Sequence, residues 1–141
     1  TFNWGIIMGW TSLVNNISTE PLILYLSAIF WTLGYDTIYG LQDIVDDEII
    51  GVKSTSIKFR NNVKIFVGIC YSLFVLVILK LCLMLEINQY SVLIFFLIVF
   101  SLIYQIRIFK PNNPNTCLHA FKTNNLTGLL IFILIASFNF V

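Results

Sequence analysis

Long apolar runs dominate the pattern of polar and hydrophobic positions along the chain. Residues 65–79 and residues 90–106 contain no charged side chain. With its flanks, each run approaches the roughly 20 residues that a helix needs to cross about 30 Å of hydrocarbon. A closed β-barrel is the only other backbone that is stable in lipid, and apolar runs of this length without alternation argue against it. The pattern therefore predicts membrane-spanning helices.

Five segments of this kind predict an all-α fold, a polytopic transmembrane helical bundle. Their predicted boundaries are 2–14, 21–39, 63–85, 90–109 and 125–141. The second segment has a start signal, because Ser18, Glu20 and Pro21 supply a capping residue, a first-turn acid and an early proline. We expect the first segment to be the end of a longer helix, since the chain starts inside it at Thr1.

Composition supports an integral membrane protein, with the lipid bilayer as its surroundings. Hydrophobic residues make up 58% of the chain and charged residues 11%, whereas soluble proteins carry about 25% charged residues. A soluble fold of 141 residues could not bury this many apolar segments. The three cysteines lack zinc-site spacing, and no basic stripe suggests a nucleic-acid partner.

The basic residues predict how the chain is oriented. Seven of the eight lie in or beside two predicted loops, at 40–62 and 107–124, and the connections at 15–20 and 86–89 carry none. Lys80 is the exception, near a helix end from which its side chain can reach the interface. The positive-inside rule therefore predicts that the 40–62 loop faces the cytoplasm or the mitochondrial matrix.

An acidic cluster at 35–47 carries the candidate chemistry, since it holds four of the seven acidic residues. On a helix it would form two adjacent stripes, Asp36, Gly40, Asp43 and Asp47 on one and Tyr35, Tyr39, Gln42 and Asp46 on the other. Asp43 and Asp47 repel each other at this spacing unless a cation lies between them. Mg²⁺ commonly binds through one or two carboxylates plus substrate phosphates. The alternative is a solvated acidic turn at a helix end.

The segment after the cluster adds a cation to the carboxylates. Gly51 is placed where a helix could stop, and Lys53 follows with two hydroxyl residues behind it. A polyanion bridged by Mg²⁺ to Asp43 and Asp47 would need a cationic donor, and Lys53 is the nearest. The pattern predicts a metal-assisted diphosphate site beside an apolar cavity. The alternative is an interfacial lysine that only fixes the orientation of the chain.

Two segments resemble a known family. The sequence YDTIYGLQDIVDDEIIGVKST at 35–55 resembles the second aspartate-rich motif of the UbiA superfamily of intramembrane prenyltransferases, and within it the 4-hydroxybenzoate polyprenyltransferase branch. That branch has the pattern YDTxYAxxDxxDDxxIGxKST, and only its alanine departs here, replaced by Gly40. The sequence CLHAFKTNN at 117–125, followed by Gly128 and Leu129, is similar to the C-terminal CxxAFxxNNxxGL element of the branch.

The resemblance implies a nine-helix bundle around a lipid-accessible cavity, with two aspartate-rich motifs facing each other. Residues 1–141 would be the C-terminal part of a single transmembrane prenyltransferase domain, covering about five of the nine helices. The first motif, of the NDxxD type, does not occur in the sequence. We therefore expect a fragment of a longer protein, or the product of a split or degraded gene, that is inactive alone.

The resemblance also implies an activity and a set of site residues. The reaction would be Mg²⁺-dependent transfer of a polyprenyl group from polyprenyl diphosphate to 4-hydroxybenzoate, ortho to its hydroxyl, in ubiquinone biosynthesis at a bacterial or mitochondrial inner membrane. The implied metal ligands are Asp43, Asp46 and Asp47, and the implied catalytic residues are Asp43, Asp47 and Lys53. The implied substrate-binding residues are Asp36, Tyr35, Tyr39, Lys53, Asn124 and Asn125. For the two asparagines, a polar helix cap is the alternative.

Three other interpretations stay open at this point. The missing first motif favours a non-catalytic membrane subunit or the remnant of a broken gene. Another aromatic prenyltransferase of the same superfamily would carry the same motifs. A fragment of a cation transporter would also place acids near a membrane. It would be expected to bury them within helices, whereas Asp43, Asp46 and Asp47 lie at a helix end.

Overall fold

The computed structural model describes residues 3–85 and 88–138, and all regular structure in these two ranges is helical. The helices are α1 (Gly5–Val14), α2 (Thr19–Tyr39), α3 (Ile44–Ile50), α4 (Thr55–Lys58), α5 (Val63–Met84), α6 (Gln89–Ile108) and α7 (Pro114–Ala136). A single 3₁₀ turn, Arg60–Asn62, leads into α5. The predicted all-α class is confirmed.

Four of these helices, α2, α5, α6 and α7, are long and apolar enough to cross a membrane. The first predicted segment corresponds to α1, which is apolar but has only 10 residues. The predictions for Phe2, for 86–87 in the connection before α6 and for 139–141 at the end of the last segment lie outside the described residues. The chain is that of a polytopic, integral membrane protein.

The last membrane helix begins earlier than the sequence predicts. It starts at Pro114 rather than at 125, because the Asn113 side chain accepts hydrogen bonds from two backbone amides of the first turn, at 3.1 and 3.4 Å. Proline at the first position suits a helix start, since its missing N–H would have no partner there. Asn124 and Asn125 therefore lie inside α7, and their interpretation as a helix cap is wrong.

The acidic cluster does not lie on one continuous helix, so the predicted stripes are wrong as local structure. Helix α2 ends at Tyr39, and α3 begins only at Ile44. In between, the amides of Leu41 and Gln42 bond to carbonyls three residues back, at 3.3 and 3.0 Å. Leu41 is only 2% exposed and Ile44 8%, so the chain turns in order to bury two side chains of the cluster in the core.

Helix α2 is central, because it packs along α5 and also contacts α1 and α7, while α6 packs against α7. Gly34 lets α2 and α5 come close together, since a Cβ at this position would overlap the ring of Tyr71. The Tyr71 hydroxyl donates to Gln105 Oε1 at 2.7 Å, and Gln105 Nε2 donates to Thr127 Oγ1 at 2.8 Å. This buried network joins α5, α6 and α7, and its tyrosine is the residue on which Gly34 of α2 packs.

Candidate functional site

An open groove of about 450 Å³ lies at the C-terminal end of α2. Its walls are the last turns of α2, the turn at 40–43, helix α3 and the segment at 53–56. The lining residues are Leu33, Asp36, Tyr39, Gly40, Asp43, Asp47, Lys53, Ser54, Thr55 and Ser56. All lining residues except Leu33 and Ser56 come from the stretch at 35–55 that the sequence singles out, although that stretch is folded differently from the prediction.

Three carboxylates share this groove. Asp36 comes from α2, Asp43 from the turn and Asp47 from the first turn of α3, where its amide bonds to the Asp43 carbonyl at 2.9 Å. The break in the helix does not separate them, because the turn returns the chain to the same side. Asp46 is exposed and is not among the lining residues. The structure thus brings together three of the four clustered aspartates and leaves Asp46 outside the groove.

Lys53 belongs to the same groove and is available to a ligand. Lys53 is exposed and lines the groove together with the aspartates. No ion pair within 4.0 Å joins it to an aspartate in the part of the chain that the structure describes. The ion pair that does form, between Arg60 and Glu48 at 2.8 Å, involves residues that do not line the groove. An anionic ligand could contact Lys53 without breaking an existing pair.

The carboxylate oxygens of the groove are the right type of ligand for a hard divalent cation, but too few of them lie close together to bind one alone. Carboxylate oxygens are the ligands that Mg²⁺ takes from proteins, usually one or two of them, with waters and substrate phosphates completing its shell. Among residues 3–85 and 88–138, no group of three or more His, Cys, Asp or Glu side chains is close enough to hold a metal ion. Asp43 and Asp47 could therefore supply part of a coordination shell, and other oxygens would have to supply the rest.

The backbone after α3 is shaped to bring Lys53 back to the groove. Gly51 adopts the left-handed conformation, with φ of 75°, and ends α3 as the sequence predicts. The Val52 amide then bonds to the Asp47 carbonyl at 2.9 Å. This reversal folds the next residues against α2 instead of letting them extend into solvent.

A row of aromatic rings leads away from the groove along α2. We call Trp31, Tyr35, Tyr39 and Phe121 the aromatic strip. Ring centroids are 4.7 Å apart for Tyr39 and Phe121, 6.0 Å for Tyr35 and Phe121, and 5.4 Å for Trp31 and Tyr35. The three α2 members recur every four residues, which puts them on one helix face. The strip therefore joins the groove at Tyr39 to the membrane-spanning part of the bundle at Trp31.

The two asparagines of the C-terminal element have different surroundings. Asn124 lies beside the aromatic strip, where its Oδ1 accepts a hydrogen bond from Trp31 Nε1 at 3.0 Å. Asn125 is exposed, and neither residue lines the groove. Sequence reasoning missed Trp31 and Phe121 as neighbours of the site. The spacing of aromatic residues at 31, 35 and 39 was a signal that could have indicated the first of them.

Comparison with known proteins identifies the class to which this architecture belongs. The profile of the UbiA prenyltransferase family matches residues 1–136, so the chain belongs to that family. The mitochondrial 4-hydroxybenzoate polyprenyltransferase of Bos taurus is 34% identical over 138 residues, in an alignment that covers 94% of this chain and 36% of the relative. The 4-hydroxybenzoate octaprenyltransferase of Francisella tularensis subsp. novicida (strain U112) is 33% identical over 133 residues, 94% of this chain and 47% of the relative.

A third relative, the mitochondrial 4-hydroxybenzoate polyprenyltransferase of Aedes aegypti, is 31% identical over 134 residues, 94% of this chain and 30% of the relative. The chain thus spans less than half the length of these curated relatives. No solved structure gives a significant match. The relatives come from a bacterium and from mitochondria of two animals, and the family resemblance of the two motifs is confirmed.

Proposed function

We propose that the protein containing this chain transfers a polyprenyl group from polyprenyl diphosphate to 4-hydroxybenzoate, ortho to the hydroxyl, as a step of ubiquinone biosynthesis. The observation that carries this proposal is the groove in which Asp36, Asp43 and Asp47 share one space with Lys53. A diphosphate group needs both kinds of residue, cations for its oxygens and carboxylates for its metal ion. The names of the relatives support the choice of acceptor.

Within the groove, each charged residue has a separate part. Asp43 and Asp47 would hold Mg²⁺ together with oxygens of the diphosphate, and Lys53 would donate hydrogen bonds to the same group. When bound, Mg²⁺ would neutralise the charge that develops on the leaving diphosphate. Asp36 also lines the groove and would orient bound water. Asp46 lies outside, so we assign it at most an indirect effect on the metal ligands.

The aromatic strip would serve the carbon half of the substrate. The allylic C–O bond breaks, the ring carbon of 4-hydroxybenzoate forms the new C–C bond, and that carbon loses its proton. Ring faces attract a cation, so Tyr39 at the groove and Tyr35 behind it would line the path of the allylic group. Apolar walls keep water away from the cation and strengthen the electrostatic interactions at the groove.

We also propose that this chain does not act by itself. Its three groove carboxylates do not form a three-ligand metal site among the described residues. A diphosphate with its metal ions would then need further acidic residues that face the groove. We place the whole protein in a bacterial or mitochondrial inner membrane, with the 40–62 segment facing the cytoplasm or the matrix.

The experiment that tests this function is a transfer assay on the protein containing this chain, in membranes, with geranyl diphosphate and 4-hydroxybenzoate. We expect a 3-geranyl product that depends on added Mg²⁺ and disappears with a chelator. The 141-residue chain assayed alone should give none. If another aromatic acceptor is prenylated faster than 4-hydroxybenzoate, the proposed acceptor is wrong. Absence of any transfer from the whole protein would favour the non-catalytic alternative.

A further inference from the structure

Three hydroxyl side chains join the segment after α3 to the end of α2. The Thr37 hydroxyl donates to the Leu33 carbonyl at 2.7 Å and lies 2.7 Å from the Thr55 hydroxyl. Because a hydroxyl has one proton to donate, Thr55 must donate in the second bond. Ser56 Oγ donates to the Thr37 carbonyl at 2.9 Å. We call Thr37, Thr55 and Ser56 the hydroxyl latch.

Two of the three residues of the hydroxyl latch, Thr37 and Ser56, are buried, so water cannot replace the bond between them, whereas Thr55 is half-buried and lines the groove. Thr37 is 0% exposed and Ser56 1% exposed, in a chain whose buried residues are mostly apolar. A buried polar group that loses its partner is strongly disfavoured, because it can bond neither to protein nor to solvent. The latch therefore holds the start of α4 against α2 in one arrangement. Ser54 supports this start, since its hydroxyl accepts from the Ile57 amide at 3.3 Å.

The hydroxyl latch constrains the backbone position of Lys53. On one side of Lys53, the Val52 amide is bonded to the carbonyl of Asp47 at 2.9 Å. On the other side, Thr55 and Ser56 are bonded to Thr37, the residue that follows Asp36. The backbone is therefore held by hydrogen bonds on both sides of Lys53. One bond is made to Asp47 of the groove, and the others are made to Thr37, the direct neighbour of Asp36.

Gly40 leaves the space that the hydroxyl latch needs. A Cβ at this position would lie 2.5 Å from Ser56 Oγ and 3.4 Å from Ser56 Cβ. The atom that a Cβ would overlap is the Ser56 hydroxyl and not the serine backbone. This hydroxyl cannot change its rotamer without losing its hydrogen bond to the Thr37 carbonyl. The glycine at a position where the resembling motif has alanine is therefore explained by the serine at 56.

We propose that the hydroxyl latch is a positioning device for the diphosphate, which holds Lys53 over the groove lined by Asp36, Asp43 and Asp47. This inference rests on the proposed function for the identity of the ligand. Although Thr55 and Ser56 line the groove, the role that we assign to the latch is to hold the segment that carries Lys53. It acts through Lys53, and its loss should weaken binding of the prenyl diphosphate more than binding of the aromatic acceptor.

The first experiment measures the hydroxyl latch without any activity assay. In the protein containing this chain, tryptic cleavage after Lys53 is followed by mass spectrometry for Thr55→Val, Thr55→Ser and the unmodified protein. For Thr55→Val we expect cleavage to be roughly two- to ten-fold faster, because one hydrogen bond is lost. Thr55→Ser keeps the hydroxyl and should be cleaved at the normal rate. Thr11→Val is the matched control, because among the described residues the Thr11 hydroxyl bonds only to carbonyls of its own helix, α1. Equal rates for Thr55→Val and the unmodified protein would overturn the proposal.

The second experiment is a double-mutant cycle on the pair Gly40 and Ser56. Gly40→Ala should speed cleavage after Lys53 when Ser56 is present, because the added methyl displaces its hydroxyl. In the Ser56→Ala background, the same change should have little further effect, since the obstructing oxygen is gone. Additive effects of the two substitutions would show that they are independent, and the argument from space would be wrong.

The third experiment connects the hydroxyl latch to the ligand. For Thr55→Val we expect the KM for geranyl diphosphate to rise roughly ten-fold or more, as when outer-shell partners are lost elsewhere, with the KM for 4-hydroxybenzoate unchanged. Thr55→Ser should restore the normal value. A variant that is merely less stable would lose kcat and keep both KM values, which would overturn the positioning role. If the whole protein shows no transfer, the proposed function fails while the cleavage rates still test the latch.

Discussion

Trp31 fixes the orientation of the Asn124 side chain, 93 positions further along the chain. The indole Nε1 can only donate, so the atom 3.0 Å away must be the carbonyl oxygen of the Asn124 amide. The amide nitrogen, Nδ2, then points away from Trp31 and donates to no residue that the structure describes. Its two N–H groups are thereby held ready for an acceptor beside the aromatic strip.

Replacing Trp31 by phenylalanine should weaken acceptor binding. The variant keeps a ring in the strip but removes the donor, so the Asn124 amide can rotate. For the loss of one hydrogen bond we expect the KM for 4-hydroxybenzoate to rise roughly two- to ten-fold, with the KM for the prenyl diphosphate unchanged. Steady-state kinetics in membranes would measure both. Trp4→Phe is the control, since Trp4 is 52% exposed and packs on Tyr25. An unchanged acceptor KM in Trp31→Phe would contradict a binding role for Asn124.

The three aspartates near the start of α3 should differ in their importance. Asp43→Ala or Asp47→Ala removes a groove carboxylate, and we expect transfer to fall at least 10–100-fold, the range seen when only outer-shell support of a metal is lost. Asp46→Ala should cost much less, because Asp46 lies outside the groove. Raising the Mg²⁺ concentration should partly restore the first two variants and leave the third unaffected.

Asp46→Ala is also the internal control, since it removes the same charge from a position in α3 that directly precedes Asp47. If all three variants lose activity equally, a general effect on α3 is responsible. Nearly full activity in both Asp43→Ala and Asp47→Ala would remove the metal assignment altogether.

The sequence predicted the membrane helices well, because length and hydropathy alone decide whether a segment can span a bilayer. It failed where tertiary packing decides. The predicted membrane segment ends at Tyr39, as α2 does, and Gly40 follows it as the C-cap. The predicted stripes instead assumed a helix that continues through 40–43, where the chain turns and buries Leu41 and Ile44 in the core. The start of α7 at Pro114 could have been predicted, since an asparagine followed by proline is a helix start signal. It was missed because the polar residues up to Asn125 resemble a loop.

For the candidate site, the sequence indicated the segment that forms most of the groove, but the local geometry that it predicted was wrong. Residues spaced three or four apart would share a helix face, and Asp36, Asp43 and Asp47 do share one groove, although a turn rather than a helix brings them there. The hydroxyl residues after Lys53 were visible, but their partner Thr37 was not. That contact joins residues 18 apart through tertiary structure, and no spacing rule predicts it.

The orientation of the chain can be checked at Lys53. Because most basic residues lie on the groove side of the bundle, an impermeant amine reagent should label Lys53 only from the cytoplasmic or matrix side of sealed vesicles. Lys80 is the internal comparison, since it lies near the other end of α5 and should not be labelled from that side. Labelling of Lys53 from the opposite side alone would reverse the orientation and the route by which the diphosphate enters.

The buried network of Tyr71, Gln105 and Thr127 should contribute to stability as a coupled unit. Gln105→Leu leaves the Tyr71 hydroxyl without its 2.7 Å partner, whereas Thr127 keeps a 2.6 Å bond to Ser101. An unpaired buried group costs about 1–3 kcal/mol, although hydrogen bonds between membrane helices average only about 0.6 kcal/mol. We therefore expect Gln105→Leu to lower the free energy of unfolding by about 1 kcal/mol.

Adding Tyr71→Phe separates the network from simple packing. The phenylalanine keeps the ring that packs against Gly34 and removes the hydroxyl that Gln105→Leu leaves unpaired. The double variant should therefore be no less stable than Gln105→Leu alone, when the free energy of unfolding is measured by denaturation in detergent. Losses that add would mean that the two side chains stabilise the bundle independently. In that case the hydrogen bond between α5 and α6 would contribute nothing beyond packing. The position of α2 against α5 would then be stabilised by the close approach at Gly34 alone.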